Sequence, residues 1–187
     1  MLLPAQAGNV PHIAIAAGKD GNMYMMNEDS LGGYSPVKNN VLGTYQIGGC
    51  WCIQSYFNPA DGVPRVVSSG GHSVKVWKLA TSPSPSLSLA ASSPTIPMIQ
   101  WPGFFTTVSS NGKANPIIWA LSHPVSATDR TIHLYAFDPL SGTTMTQLFS
   151  AAAGVWPRPG NSNIVPVVAN GQVFVASYKQ LQIFGPI

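Results

Sequence analysis

Two cysteines, Cys50 and Cys52, flank Trp51 and are the chain's only thiols. A Cys-x-Cys pair can stand as free thiols, as a redox disulfide or as two ligands for a soft metal. In a strand, residues i and i+2 share a face with Cα atoms roughly 6.5–7 Å apart. That is the strained edge of disulfide geometry, so two partly buried free thiols are expected. A metal pair would need further ligands, and the four histidines do not supply them. His12, His72, His123 and His133 lack a His-x-x-x-His spacing, and His133 alternates with strand residues as a packing residue would. The six acidic residues, Asp20, Glu28, Asp29, Asp61, Asp129 and Asp138, sit mostly in turns. No paired carboxylates for acid–base work stand out. Ser68-Ser69-Gly70-Gly71 and Ser109-Ser110-Asn111-Gly112 look like nucleophile turns, but neither has the Gly-x-Ser-x-Gly elbow nor a following helix. Gly18-Lys19-Asp20-Gly21 precedes no helix and so makes no phosphate loop.

The elements that would position these groups form a recurring pattern: an apolar, β-branched stretch, a Gly turn and a second apolar stretch. It occurs over His12–Met26, Arg65–Trp77, Phe104–Trp119 and Ile164–Val175. The spacing of about 40–60 residues is that of propeller blades or solenoid units. With 18 Gly and 17 Pro among 187 residues, turns are frequent and long helices are not expected. Charged residues make up 8%, against roughly 25% in an average soluble protein, so Ser, Thr, Asn, Gln, Gly and Pro must cover the surface. The net charge of +3 forms no run or stripe, which argues against nucleic-acid binding. No stretch approaches the roughly 18 apolar residues of a membrane helix. The opening Met1-Leu2-Leu3-Pro4-Ala5-Gln6-Ala7-Gly8 lacks the basic region and full apolar core of a signal peptide. The low-charge, Gly-rich composition suits an extracellular or periplasmic protein.

Strands are expected at Ile13–Ala17, Asn22–Asn27, Val41–Ile47, Gly62–Ser69, Val74–Trp77, Phe104–Ser110, Ile117–Leu121, Thr131–Asp138, Thr144–Phe149 and Gln180–Phe184. The Ser/Pro-rich Thr81–Pro94 admits at most an edge strand around Leu87 and Leu89. His123–Arg130 is expected to be a surface insertion. Strands that are nearly continuous apolar runs belong to sheets buried on both faces. Stacking such sheets side by side shields their faces and edges. The expectation is an all-β chain: one β-propeller domain, or half of one, of about four four-stranded antiparallel blades.

Leu134-Tyr135-Ala136-Phe137-Asp138-Pro139-Leu140-Ser141-Gly142 resembles the core of the pyrroloquinoline-quinone-like β-propeller repeat. That repeat runs aromatic-Ala-Leu-Asp, turn, Thr/Ser-Gly. Gly18–Asn27 resembles its strand–turn–strand, and Val168–Ser177 with Leu181–Gly185 is similar to a terminal blade. The resemblance spans nearly the whole chain and implies the C-terminal half of a quinoprotein-like propeller. It leaves a truncated product, a compact four-bladed ring, or a half-ring that pairs with a second copy as a homodimer. In quinoprotein dehydrogenases of this family the cofactor lies on the axis, stacked on a Trp and vicinal cysteines, with calcium held by an acid and an Asn. This chain has no adjacent cysteines, and Asp138 matches the turn Asp of the repeat and not a catalytic one. No catalytic residue carries across, and no cofactor or metal is assigned.

In a propeller, the segment leading into each blade lines the mouth of the central channel. That places His12, Trp51, Tyr56, Trp101, Trp156, Arg158 and Asn163 as candidate ligand-binding residues. Flat rings with polar handles suit a glycan, another small molecule or a peptide. The competing reading is that these aromatics wedge neighbouring blades together. The expected function is a non-catalytic binding or scaffold module of an exported protein. The alternatives are a fragment of a quinoprotein-like oxidoreductase or a carbohydrate-binding propeller.

Overall fold

In the computed structural model, residues 1–49, 52–97, 103–157 and 163–185 are described. They form an all-β protein of four antiparallel sheets. The first sheet holds β1 (Ile13–Ala17), β2 (Asn22–Asn27) and β3 (Gly43–Gln46); the second, β4 (Ser55–Phe57), β5 (Arg65–Ser68), β6 (Lys75–Ala80) and β7 (Ser86–Ser92). The third holds β8 (Phe105–Asn111), β9 (Ala114–Leu121), β10 (Thr131–Asp138) and β11 (Thr146–Val155); the fourth, β12 (Val167–Ala169), β13 (Gln172–Ser177) and β14 (Gln180–Phe184). Every sheet is a meander in chain order. The expected four-by-four pattern is therefore three, four, four and three strands. The N-terminus partly extends the first sheet: Leu2 bridges Ala14, and the Ile15 N–H donates to the Met1 carbonyl at 2.8 Å. β4 was not anticipated, and the Ser/Pro-rich segment supplies a full seven-residue outer strand, β7.

The sheets stack face to face in the order they occur. Alternation along β1 and β2 sends Ile13, Ile15, Met23 and Met25 into a core shared with Val66, Trp77, Leu79 and Leu87 of the second sheet. The opposite face of the second sheet, with Phe57, Val67, Val74 and Val76, meets Phe104, Ile118, Ala120 and Phe137. The far face of the third sheet, with Leu121, Ile132, Leu134 and Ala153, meets Ile164, Val173 and Val175. Each fully buried large side chain in these layers contributes about 1.5–3 kcal/mol. No core cluster joins the fourth sheet to the first among the described residues.

Backbone, not only side chains, laces the first three sheets at one end. The Ile47 and Gly48 N–H groups donate to the Gly21 carbonyl of the β1–β2 turn at 2.9 and 3.1 Å. The Gly71 N–H donates to Gly49 at 2.8 Å, and the Gly103 N–H to Gly71 at 2.8 Å. Glycine is required for this approach: a Cβ on Gly70 would lie 2.7 Å from the Ile47 carbonyl oxygen. Gly48 adds a φ of +90° with Gly71 Cα 3.0 Å from where its Cβ would be.

Two local expectations change. Cys52 is held in a disulfide and is not a free thiol. It precedes β4, outside regular strand structure, so the strand-based spacing that disfavoured a disulfide does not apply; Cys50 lies outside the described residues. The segment from His123 is a surface insertion only in its second half. His123 is 1% exposed, its ring edge-on to Phe105 at 6.3 Å, while Ala127–Arg130 is exposed.

A cleft between the third and fourth sheets

Of the expected channel-mouth set, Trp51, Trp101 and Arg158 lie outside the described residues. His12 is exposed and its Nδ1 lies 2.9 Å from Asp29 Oδ2, an ion pair when the ring is protonated. Tyr56, on β4, packs against the core between the first and second sheets, and its hydroxyl lies 3.5 Å from Gln6 Nε2 as acceptor. Trp156 packs against the core between the third and fourth sheets, and Asn163 is exposed just before buried Ile164. No hydrogen bond or ring contact joins these four among the described residues.

A concavity lies elsewhere, between the third and fourth sheets, with a volume of about 680 Å³. Alternation on β9 turns Ile117 and Trp119 toward the fourth sheet, while Ile118 and Ala120 turn into the opposite core. Trp119, Ala136 and Phe149 lie in one cross-strand row. Small Ala136 separates the two rings and leaves room above the sheet. The facing row of the fourth sheet is Val168, Val173 and Phe184. Phe149 and Phe184 meet edge to face at 5.8 Å and tie the outer strands of the two sheets together. Trp119 Nε1 donates to Ser109 Oγ at 2.8 Å, which fixes the indole plane. Ser110, Asn111 and Asn115 make a polar rim, and Gly171 and Gly185 keep the wall free of side chains. Asn115 has a φ of +50°, a left-handed conformation that Asn tolerates better than most residues.

No ionisable side chain lines this cleft. The aspartates serve turns and ion pairs. Asp20 accepts from the Tyr24 hydroxyl and, less strongly, from Asn22, which holds its carboxyl below the ordinary value; the Tyr24 bond raises the phenol in turn. Asp61 is lowered chiefly by the Val63 N–H, with help from Arg65 at 2.6 Å. Asp129 is lowered by Thr131. Asp138 accepts the Leu140 N–H at 2.9 Å in the turn that follows β10. Among the described residues, no three His, Cys, Asp or Glu side chains gather as a metal site would need. Lys75, at the backbone seam, donates to the Ile47 carbonyl at 3.1 Å, and burial lowers its pKa.

Sequence reasoning missed the cleft because Trp119 sits in the middle of an apolar run, Ile117–Leu121, whose two faces look alike. The signal was the alternation Ile117, Trp119, Leu121 opposite Ser109 and Thr107, which gives that face a polar edge and an aromatic centre. Comparison with protein-family models, with curated proteins and with solved structures finds no match to this chain. The class that the fold and cleft define is an all-β protein of serially stacked antiparallel sheets with an aromatic inter-sheet cleft.

Proposed function

We propose that this chain is a non-catalytic binding module of an exported protein, its sheets arranged as blades of a propeller-like array. The proposed binding site is the cleft between the third and fourth sheets. The observation that carries the reading is the composition of that cleft: Trp119, Phe149 and Phe184 with a Ser/Asn rim and no acid, base or metal ligand. Its volume falls in the roughly 300–1,000 Å³ range of small-molecule sites, which are mostly apolar with a few placed polar groups. A flat ligand with one apolar face and a hydroxyl-bearing edge, a sugar ring being the simplest, would stack on the indole and bond to Ser110 and Asn115. The disulfide at Cys52 supports an oxidising compartment, as does the low-charge surface. The resemblance to the quinoprotein-like repeat supports the blade arrangement and keeps a second reading, part of an oxidoreductase with an axial cofactor.

The test is a thermal-shift and tryptophan-fluorescence screen of mono- and oligosaccharides, with pyrroloquinoline quinone and calcium as a separate arm. Saturable sugar binding that Trp119→Ala abolishes supports the reading. Saturable quinone binding that survives Trp119→Ala supports the oxidoreductase reading instead. No sugar binding up to millimolar concentrations counts against a glycan site.

A further inference from the structure

The cleft beside Trp119 does not end at its own rim. Alternation along β9 puts Asn115, Ile117 and Trp119 on one face, in a line about 14 Å long at the rise of an extended strand. At the Asn115 end a second hollow of about 340 Å³ adjoins the cleft, sharing Asn115 and Ile117 and bordered further out by Asp138, Leu140 and Leu148. Leu148 reaches this shelf because β11 is bulged there. Ala136 pairs with Phe149 and Phe137 with Gln147, which leaves Leu148 as the extra residue, and a bulge re-aims a side chain in this way. Leu140 and Leu148 are about half exposed and form an apolar floor. Asp138 stands beside them. One of its carboxylate oxygens accepts the Leu140 N–H, and the other has no hydrogen-bond partner among the described residues.

The polar groups along the cleft are mixed and neutral. Ser109 Oγ accepts from the Trp119 indole and keeps its own proton to donate, whereas Ser110 gives its proton to the Gly112 carbonyl at 2.7 Å and can only accept. The Asn111 and Asn115 amides offer both roles. The nearest cation in sequence, Lys113, lines neither hollow. A ligand that satisfies such a rim carries hydroxyls, which donate and accept, and no formal charge. The walls are strands already paired on both sides, β9 between β8 and β10 and β13 between β12 and β14. They leave no open strand edge for an extended peptide to pair with. We propose that the cleft and the shelf together bind a neutral, extended oligosaccharide, of roughly three or more rings given the length of the line along β9. One ring stacks on Trp119, the chain runs along β9 past Asn115, and a ring on the shelf donates hydroxyls to Asp138. The same carboxylate repels sugars that carry carboxylates of their own, and specificity gains from such a repulsive element. This assignment rests on the cleft being a sugar site, and adds to it the length and charge of the ligand.

The test is isothermal titration calorimetry with linear β-linked gluco- and manno-oligosaccharides, from a single ring upward, and with galacturonic acid oligomers of the same lengths. The expected Kd of a neutral series falls at least about tenfold between one ring and three and then levels off, and acidic oligomers of equal length bind at least about tenfold more weakly. Asp138→Asn keeps an oxygen for the Leu140 N–H. It should cut the preference for three rings over one by about tenfold, the worth of one hydrogen bond to a charged group, and narrow the gap to the acidic series. Leu148→Gln, at a half-exposed position, removes part of the shelf floor and should lower the same preference. Circular dichroism and the unfolding midpoint report whether each variant folds, and if one does not, the other decides. Equal affinity for one ring and three overturns the proposal while leaving a single-ring site standing; no binding at any length overturns both. Equal affinity for neutral and acidic oligomers, or an unchanged length preference in the folded variants, also overturns it. So does displacement of the three-ring sugar by an uncharged Ser/Thr-rich peptide, since the occupant is then a polypeptide.

Discussion

Replacing Gly70 by Ala tests whether the first and second sheets really meet backbone to backbone. The new Cβ would sit 2.5 Å from the Gly48 carbonyl oxygen and 2.7 Å from that of Ile47. An ordinary C···O approach is about 3.3 Å or more, so the two segments must part by roughly 0.6–0.8 Å. Neither neighbour is a flexible side-chain end that could swing away. The Gly71 to Gly49 bond, now 2.8 Å, would open to the limit of a hydrogen bond. Losing one such bond costs about 1 kcal/mol, and forced overpacking adds about 1–3 kcal/mol. The expected loss is about 2–4 kcal/mol. For a domain of this size, 1 kcal/mol moves the midpoint by about 2–4 °C, so Tm should fall by about 4–16 °C. Gly112→Ala is the control. Its φ is +59° but nothing lies within 4 Å of its Cβ position, so only backbone strain operates, at about 1 kcal/mol. Both are measured by thermal unfolding followed by circular dichroism. If Gly70→Ala is no less stable than Gly112→Ala, the sheets do not approach as described and the argument for the seam is wrong.

Ser68→Ala removes the acceptor of the Trp77 indole, now 2.7 Å away in a site where Ser68 is fully buried. An orphaned buried donor costs about 1–3 kcal/mol, readable as a lowered Tm, and Ser68→Thr should restore part of it. Asp61→Asn tests the ion pair with Arg65, whose side chain is 4% exposed. The Asp61 carboxyl is held below its ordinary value. Its stabilisation is therefore complete above about pH 4 and fades as pH falls through the lower folded value. The carboxylate is half exposed, so the effect stays below about 1 kcal/mol. The wild-type Tm should drop more steeply than that of Asp61→Asn between about pH 4 and pH 2, and parallel curves would remove the pair from the account. Trp119→Ala should abolish sugar-induced thermal shifts while lowering Tm by less than Trp77→Ala. Trp77 is buried and Trp119 only partly so, and equal losses would mean Trp119 is a core residue and not a binding surface.

Most strands were legible because their apolar runs are bounded by turn residues with defined chemistry. Ile13–Ala17, Asn22–Asn27 and Thr131–Asp138 begin and end where the sequence places them. The second copy of the repeat is one strand out of phase with the other three. Arg65–Trp77 covers the second and third strands of its sheet, whereas His12–Met26, Phe104–Trp119 and Ile164–Val175 each cover the first hairpin of theirs. Neighbouring hairpins within one meander share the same apolar–Gly–apolar signature, so sequence alone cannot phase them. β4 escaped notice because Ser55-Tyr56-Phe57 is short and mixed in polarity, and is held as a strand by its pairing with Arg65–Val67. The cleft depends on which face of β9 meets an open wall. That is set by where the fourth sheet stops covering the third, a tertiary fact that alternation cannot encode.

Because each sheet is a meander of adjacent chain and each packs on the next in order, assembly can be vectorial. A growing chain completes its first sheet from about 45 residues and its second before the third exists. Each step closes short loops, whose entropy cost rises only slowly with length. The array then resembles a one-dimensional lattice in which stability adds layer by layer. Until the last layer is in place, however, the leading sheet always presents a newly made apolar face. The hazard in this fold is therefore a moving one, travelling along the nascent chain with synthesis, and an interruption at any loop would leave an aggregation-prone end.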